Sequence, residues 1–470
     1  MPLLYLPDIL INSGDTLRGT GLLVDDFGLV SGIASPDIAP TGTHVVPLSG
    51  KALLPGLANA HSHTFQRLFR GRAEGRVSGG DTFWTWREQM YRAASFVSPD
   101  DLYDVARATF LEMLHAGITV VGEFHYLHRD HDGRAYEDPN LLSHQVISAA
   151  QSVGIRICLL RAAYFRAGYR REPHIGQRRF YERPEEYLYH LEELMAAYAG
   201  EEGVTIGSAP HSIRAVPLEY LKQIAAFAQA QNLPLHMHIS EQPGENEACG
   251  EEYGMTPVSL ISEHGILSSH TTLIHAIHLN ESEFELAAAS GATICSCPTT
   301  ERNLGDGIFP SDVAARLGIP IAFGTDSQAQ INILEDARQL EYHLRLRDRQ
   351  RGILDASTRT GWASTEPIGP ALYRAATSNG YRALGLNGGV LEPGDPADFF
   401  TVDLNDLSIL GVDAESLSAQ AVFALEKPAI RDVAVQGKLV VRDGQHAHSE
   451  EIRTRYHAVQ RRYQQASVQL

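Results

Sequence analysis

The feature that most constrains this chain is a repeating alternation, from about residue 52 to residue 390, of short apolar runs with long amphipathic segments. The runs predicted as strands are Ala52–Ala60, Gly117–Phe124, Arg156–Ala163, Thr205–Ala209, Leu233–Ile239, Thr271–Ile277, Ala292–Cys297 and Pro320–Thr325. Each is followed by a stretch of helical periodicity, such as Pro99–Ala116 or Leu218–Gln231. Eight β-then-α units predict an α/β fold, a closed (β/α)8 barrel of the TIM type rather than an open sheet. In such a barrel the reacting groups stand at the C-terminal ends of the strands. Polar residues at the ends of these runs therefore carry more functional weight than polar residues elsewhere.

The two ends of the chain read differently. Residues 1–51 and 391–470 hold short β-like pieces broken by turns, at Ser13-Gly14-Asp15, Asp25–Gly28, Gly394–Asp398 and Gln436-Gly437. The economical arrangement is one small β-sandwich domain built from both ends, flanking a barrel at 52–390, with a polar helix from about Glu450 on the surface. Two long segments that follow strands, Arg70–Phe83 and Phe165–Arg183, are placed to cover the barrel mouth. The arginines between Arg166 and Arg183 read as a solvated or interface loop.

Charge narrows the partners. With 57 acidic against 39 basic side chains and a net charge of -18, the chain repels phosphate at long range, which argues against nucleic acid or an anionic membrane. A small anion held by a local cluster of arginines stays open. No apolar run approaches the ~18 residues of a bilayer span, and Met1–Asn12 lacks a basic start and a small-residue cleavage site. A cytoplasmic protein is the expectation. Cys158, Cys249, Cys295 and Cys297 are spaced too irregularly for a disulfide framework, and Cys295-x-Cys297 reads as strand rather than metal half-site.

The first run ends in Asn59-Ala60-His61-Ser62-His63. Residues two apart on a strand point the same way, so both imidazoles face the barrel axis and can grip one metal ion. The fifth run ends His236-Met237-His238-Ile239-Ser240-Glu241, the sixth contains His275, and the eighth ends Gly324-Thr325-Asp326-Ser327. Imidazoles and a carboxylate with an open position suit a divalent ion, zinc first, with other divalent metals possible. Such an ion brings the pKa of water from about 15.7 towards 7. An aspartate next to that water can accept its proton, Glu241 can give one to a leaving nitrogen, and His275 can polarise the electrophile or share the proton work.

The segments Pro55–His63, His238-x-x-Glu241, His275 and Thr325-Asp326-Ser327 resemble the amidohydrolase superfamily over nearly the whole chain. Many binuclear members of that superfamily bridge two metals with a carbamylated lysine at the end of the fourth strand. Here lysine occurs only at Lys51, Lys222, Lys427 and Lys438, none of them at that position, so a single metal as in the deaminase branch is implied. Phe83–Tyr91, Gly122–Tyr126, Ala209–Arg214 and Cys297–Thr300 are similar to segments of the formimidoylglutamate deiminases within that branch. The resemblance implies His61, His63, His238 and Asp326 as ligands of one zinc ion per subunit and Glu241, His275 and Asp326 as catalytic residues. It implies Gln66, Arg87, Tyr126, His211 and Arg214 as substrate-binding residues, and a homodimer. Gln328 stands where many superfamily members have histidine. Trp84 and Trp86 read as packing between loop and barrel.

The implied reaction is hydrolytic deimination of N-formimidoyl-L-glutamate to N-formyl-L-glutamate and ammonia in L-histidine degradation, through attack of metal-held hydroxide on the formimidoyl carbon. Residue chemistry agrees: a small dicarboxylate substrate needs guanidinium forks, and Arg87 and Arg214 supply two. Three alternatives stay open at this point: a deaminase of another formimidoyl or guanidino amino acid, a deaminase of a purine or triazine ring, and a barrel retained as a scaffold.

Overall fold

The computed structural model describes residues 1–12, 15–74 and 83–468. Most of the glycine-rich segment predicted at Arg70–Phe83, and the side chain of Trp84, lie outside the described residues.

All eight predicted runs become strands of one parallel sheet: Leu57–Ser62, Ile118–His125, Arg156–Ala163, Val204–Pro210, Leu235–Ile239, Thr271–His275, Thr293–Ser296 and Ile321–Phe323, paired in sequence order. The sheet comes round on itself where the first strand meets the residues after the eighth. The Asp326 amide donates to the His61 carbonyl and the His63 amide to the Asp326 carbonyl, both at 3.0 Å. The second and third strands are buried along their whole length, as a barrel ringed by helices requires. Local signals set the helices between them. Pro99–Leu114 begins with a capping box between Ser98 and Asp101 and a proline in its first turn. Glu281–Ser290 begins with an Asn280–Glu283 box and ends on Gly291 in the left-handed region.

One predicted strand divides in two. The run Ala52–Ala60 breaks at Gly56: His44–Pro55 belongs to a second sheet and Leu57–Ser62 to the barrel. Gly56 donates to the Asp398 carbonyl at 2.9 Å and Leu57 to the Gly117 carbonyl at 3.0 Å, so the chain changes partners between these residues. A Cβ at position 56 would stand 2.2 Å from Thr119 Oγ1, which leaves room only for glycine. Apolarity carries straight through the crossing and so hides it.

The second sheet is mixed and takes strands from both chain ends, in the order Lys438–Val441, Ile430–Val435, Phe399–Asp403, His44–Pro55, Leu3–Asn12, Gly21–Val24, Val30–Ala34, with Asp15–Leu17 paired to Leu3–Asn12. It has its own core, around Tyr5, Leu22, Leu53 and Phe399. The helix Ser449–Val468 lies on Pro99–Leu114, joined by a bidentate Arg107–Glu451 pair at 2.8 and 2.9 Å. Among the described residues no helix is long and apolar enough to cross a membrane.

Of the arginines after the third strand, Arg170, Arg171 and Arg183 are exposed as expected, while Arg166 and Arg179 are tied into the structure. Arg166 forms a bidentate pair with Glu252, both contacts at 2.7 Å, and Arg179 is buried, donating to the carbonyls of Ala94, Val97 and Arg129. These bonds hold the segment down, and its Phe180 reaches the barrel mouth.

Candidate active site

The C-terminal ends of the strands form a cleft lined by His63, Gln66, Arg87, Tyr126, His211, Arg214, His238, Glu241, His275 and Asp326, with His61 buried alongside. Every residue singled out for the site in the sequence therefore stands at this one mouth. The backbone is unusual there. Ser240, His275, Ala276, Asp326 and Gln328 all have positive φ, between 44° and 68°, at the ends of the fifth, sixth and eighth strands. Non-glycine residues seldom adopt this region, and such strain concentrates where side chains must be aimed.

Single atoms of His61, His238, His275 and Asp326 lie mutually within 4.8 Å. Asp326 Oδ1 is 3.2 Å from His61 Nε2 and 3.4 Å from His63 Nε2, while Oδ2 is 3.8 Å from His275 Nε2. His63 is oriented by its Nδ1 at 2.8 Å from the Phe124 carbonyl, and His238 by its Nδ1 at 3.1 Å from the His211 carbonyl. Anchoring one ring nitrogen leaves the other free to ligate. His61 is fully buried, yet neither of its ring nitrogens has a hydrogen-bond partner. Buried polar atoms are rarely left so, and a cation among these rings would satisfy them. Burial, reinforced by the neighbouring imidazoles, holds His61 and His238 well below the usual histidine range. Neutral imidazoles beside a carboxylate are what a divalent ion of the zinc type needs, so the residues fit one.

His275 behaves oppositely. Burial pushes its pKa down, but Glu241, Glu301 and Asp326 outweigh it and raise the ring well above its usual value. Its Nδ1 lies 3.4 Å from Glu301 Oε1 and its Nε2 3.7 Å from Glu241 Oε1. Glu241 is itself raised above the ordinary carboxylate range, first by burial and then by Asp326.

The far side of the cleft is cationic and aromatic. Arg87, on the helix Phe83–Phe96, donates to the Tyr164 hydroxyl at 3.2 Å and lies over the Tyr91 ring. Arg214 follows the fourth strand, and its Nη1 is buried without a partner. Gln66 donates to the Tyr126 hydroxyl at 2.8 Å, while its Oε1 is unpartnered. A spare guanidinium donor on Arg214 and a spare amide acceptor on Gln66 thus line the cleft beside the His–Asp cluster.

Several contributors escaped the sequence reading. Trp86, read there as packing, lines the cleft together with Tyr164, Phe180 and Leu304. Glu301 is buried and accepts from the Cys297 amide at 2.6 Å, which positions it against His275. With His275 and Cys297 it also makes a second close group of ligand-type atoms. Glu123 accepts from the Ser62 hydroxyl at 2.6 Å and from the Thr64 amide and hydroxyl at 2.7 Å, bracing the His61–His63 segment from the second strand. Burial pushes Glu123 up to about 7. Gln328 donates to Ser62 Oγ at 2.9 Å and accepts from Thr325 Oγ1 at 2.8 Å, so it cross-links the first and eighth strands. Glu123 lies inside one of the segments noted in the sequence and Glu301 just beyond another, but no spacing assigns either a partner.

The amidohydrolase family profile matches residues 52–440. The chain is 40% identical to the formimidoylglutamate deiminase of Pseudomonas aeruginosa over 403 residues, covering 85% of this chain and 87% of that one. It is 27% identical to a 5-methylthioadenosine/S-adenosylhomocysteine deaminase of Halobacterium salinarum over 456 residues, covering 97% and 94% of the two chains. Among solved structures, an amidohydrolase from Brucella melitensis superposes with a TM-score of 0.88 at 31% identity, covering 98% of this chain and 99% of that one. The profile match, the strand-end His–Asp cluster and these relatives agree: this chain belongs to the amidohydrolase family.

Proposed function

We propose that this protein is a zinc-dependent deiminase that hydrolyses N-formimidoyl-L-glutamate to N-formyl-L-glutamate and ammonia, as a step of L-histidine degradation. The observation that carries this reading is the presence of two guanidinium side chains, Arg87 and Arg214, in the cleft that also holds the His–Asp cluster and Glu241. A dicarboxylate leaving water needs such forks, whereas a neutral purine or triazine ring offers no charge for two guanidinium groups to pair. The 40% identity to the Pseudomonas aeruginosa formimidoylglutamate deiminase supports the same substrate.

His61, His63, His238 and Asp326 would hold one zinc ion. When bound, the ion supplies Lewis acidity that makes water a nucleophile at neutral pH. Arg87 and Arg214 bind the two carboxylates and so aim the formimidoyl carbon at the cluster, with Gln66, Tyr126 and His211 adding directional contacts. Asp326 takes the proton of the attacking water, its Oδ1 being shared between His61 and His63. His275, set between the Glu301 and Asp326 carboxylates, donates from Nε2 to charge that develops on the substrate. The amidinium of the substrate becomes an amine on attack. Glu241 gives its proton to that nitrogen and takes up the hydroxyl proton as the carbon–oxygen double bond of the formyl group forms. Ammonia leaves, and the proton on Asp326 passes to solvent.

An ammonia-release assay of the zinc-loaded protein across N-formimidoyl-L-glutamate, N-formimidoyl-L-aspartate, guanine and adenosine tests this. The expected order places N-formimidoyl-L-glutamate first. Turnover of adenosine or guanine with none of the formimidoyl amino acids overturns it. Preference for the aspartate analogue keeps the class and corrects the substrate, since one methylene is worth only about 1–3 kcal/mol of discrimination.

A further inference from the structure

Outside the cleft, a cavity of about 280 Å³ is lined by Arg67, Arg70, Glu112, His115, Arg453 and Tyr456. It lies between the turn Thr64–Phe69, the helix Pro99–Leu114 and the helix Ser449–Val468. One carboxylate serves several cations there. Glu112 pairs with Arg67 Nη2, and its Oε1 lies 3.6 Å from both Arg70 Nη1 and Lys427 Nζ. Arg453 lines the same space and has no ion pair among the described residues. The cavity is therefore lined by three arginines and one carboxylate, with Lys427 also beside that carboxylate, in a chain whose net charge is -18.

The excess is costly as it stands. Arg67 is 7% exposed, and its Nη1 has no hydrogen-bond partner; the buried Nε2 of His115 is likewise unpartnered. Burial and the neighbouring charges of Arg67 and Arg70 depress Lys427, and burial with Arg67 depresses Arg70, despite Glu112. Groups arranged this way are stabilised by an anion that reaches all of them, and guanidinium forks match the oxygen pairs of carboxylates and phosphates. Arg67 sits at the buried base, while Arg70 and Arg453 are exposed at the rim, so the space is open to a solute.

We propose that this cavity is a binding site for a small multivalent oxyanion, a phosphate or a polycarboxylate, held by Arg67, Arg70 and Arg453 with Lys427 behind them. Its residues take no part in the reaction proposed above, and the inference stands independently of that reaction.

The test is a titration of the metal-loaded, full-length protein at constant ionic strength, following the melting temperature. Inorganic phosphate is added in one arm and propane-1,2,3-tricarboxylate in the other, and the arm that half-saturates at the lower concentration identifies the class of anion. The proposal expects a saturable rise in melting temperature in at least one arm. In an Arg70→Ala/Arg453→Ala double variant, that anion should bind at least about tenfold more weakly. Both positions are exposed, so the basal turnover of the double variant reports that the fold is intact. Arg214→Met in the cleft should leave the rise in place. No rise in either arm, or a rise that the double variant retains at full strength, overturns the proposal.

Discussion

Asp326 holds His61 twice: its amide donates to the His61 carbonyl at 3.0 Å, and its carboxylate Oδ1 stands 3.2 Å from the same residue's Nε2. The bond that brings the eighth strand back to the first is thus made by the residues that form the cluster. Gly324 permits the approach, since a Cβ there would lie 2.6 Å from the Cβ of His61. Barrel closure and the geometry of the site are one event, and disturbing either should be felt in both.

Asp326→Asn separates the two roles, because the backbone bonds survive while the carboxylate charge is lost. We expect this variant to fold, to bind zinc more weakly by metal analysis, and to lose at least about 10³-fold in turnover. Stripping the wild-type protein with a chelator should abolish ammonia release, and added zinc should restore it. A chelated protein that keeps full turnover would contradict the assignment of the cluster.

Arg214→Met removes one guanidinium fork while keeping a side chain of similar length. A hydrogen bond to a charged group is worth roughly 1.5–3 kcal/mol, so kcat/KM should fall about 10- to 150-fold, mostly through KM. Steady-state kinetics on N-formimidoyl-L-glutamate measures the split. A change confined to kcat would move Arg214 from capture to alignment of the reacting carbon.

The parts of the fold that could be read from sequence are those in which side-chain pattern and backbone role coincide. Strands buried on both faces show as unbroken apolar runs, and His61-x-His63 and Thr325-Asp326-Ser327 mark where two of them end. The division at Gly56 was hidden because both sheets want apolar residues on either side of it. Glu301 was hidden for another reason: it reaches the Cys297 amide only because Pro298–Leu304 turns as a helix. Tyr164, Phe180 and Trp86 have ordinary core chemistry, and only the path of the chain turns them towards the cleft.

Away from the cleft, Arg161 and Glu182 form a buried bidentate pair at 2.6 and 2.9 Å, with His190 against the same carboxylate. Burial pushes the Glu182 carboxyl up, but Arg161 and His190 outweigh it and hold it far below the ordinary range. The stability this pair gives is present above the unfolded-state carboxylate pKa and is lost as the solution is acidified towards the folded-state value. Arg161→Met leaves the buried Glu182 carboxylate with His190 as its remaining partner and should cost about 3–5 kcal/mol in denaturant unfolding, while Arg161→Met/Glu182→Leu should recover much of that. Equal losses in the single and double variants would mean that packing, not charge, is what the pair contributes.

Glu241 carries the step that most separates deimination from simple binding. It follows the fifth strand by two residues, 3.7 Å from His275 Nε2, and its carboxyl is raised first by burial and then by Asp326. A carboxyl so placed can hold a proton until the nitrogen needs it. Glutamine has the same length and can still hydrogen-bond, but it has no proton to transfer. Glu241→Gln should therefore lower kcat about 10²- to 10⁴-fold, the usual worth of a positioned general acid, with KM little changed. If Glu241 only orients His275, the loss should stay below about tenfold and KM should carry a share of it. Ammonia release at saturating substrate, compared with KM for the same variant, decides between the two, and a near-wild-type rate would assign proton donation to another group.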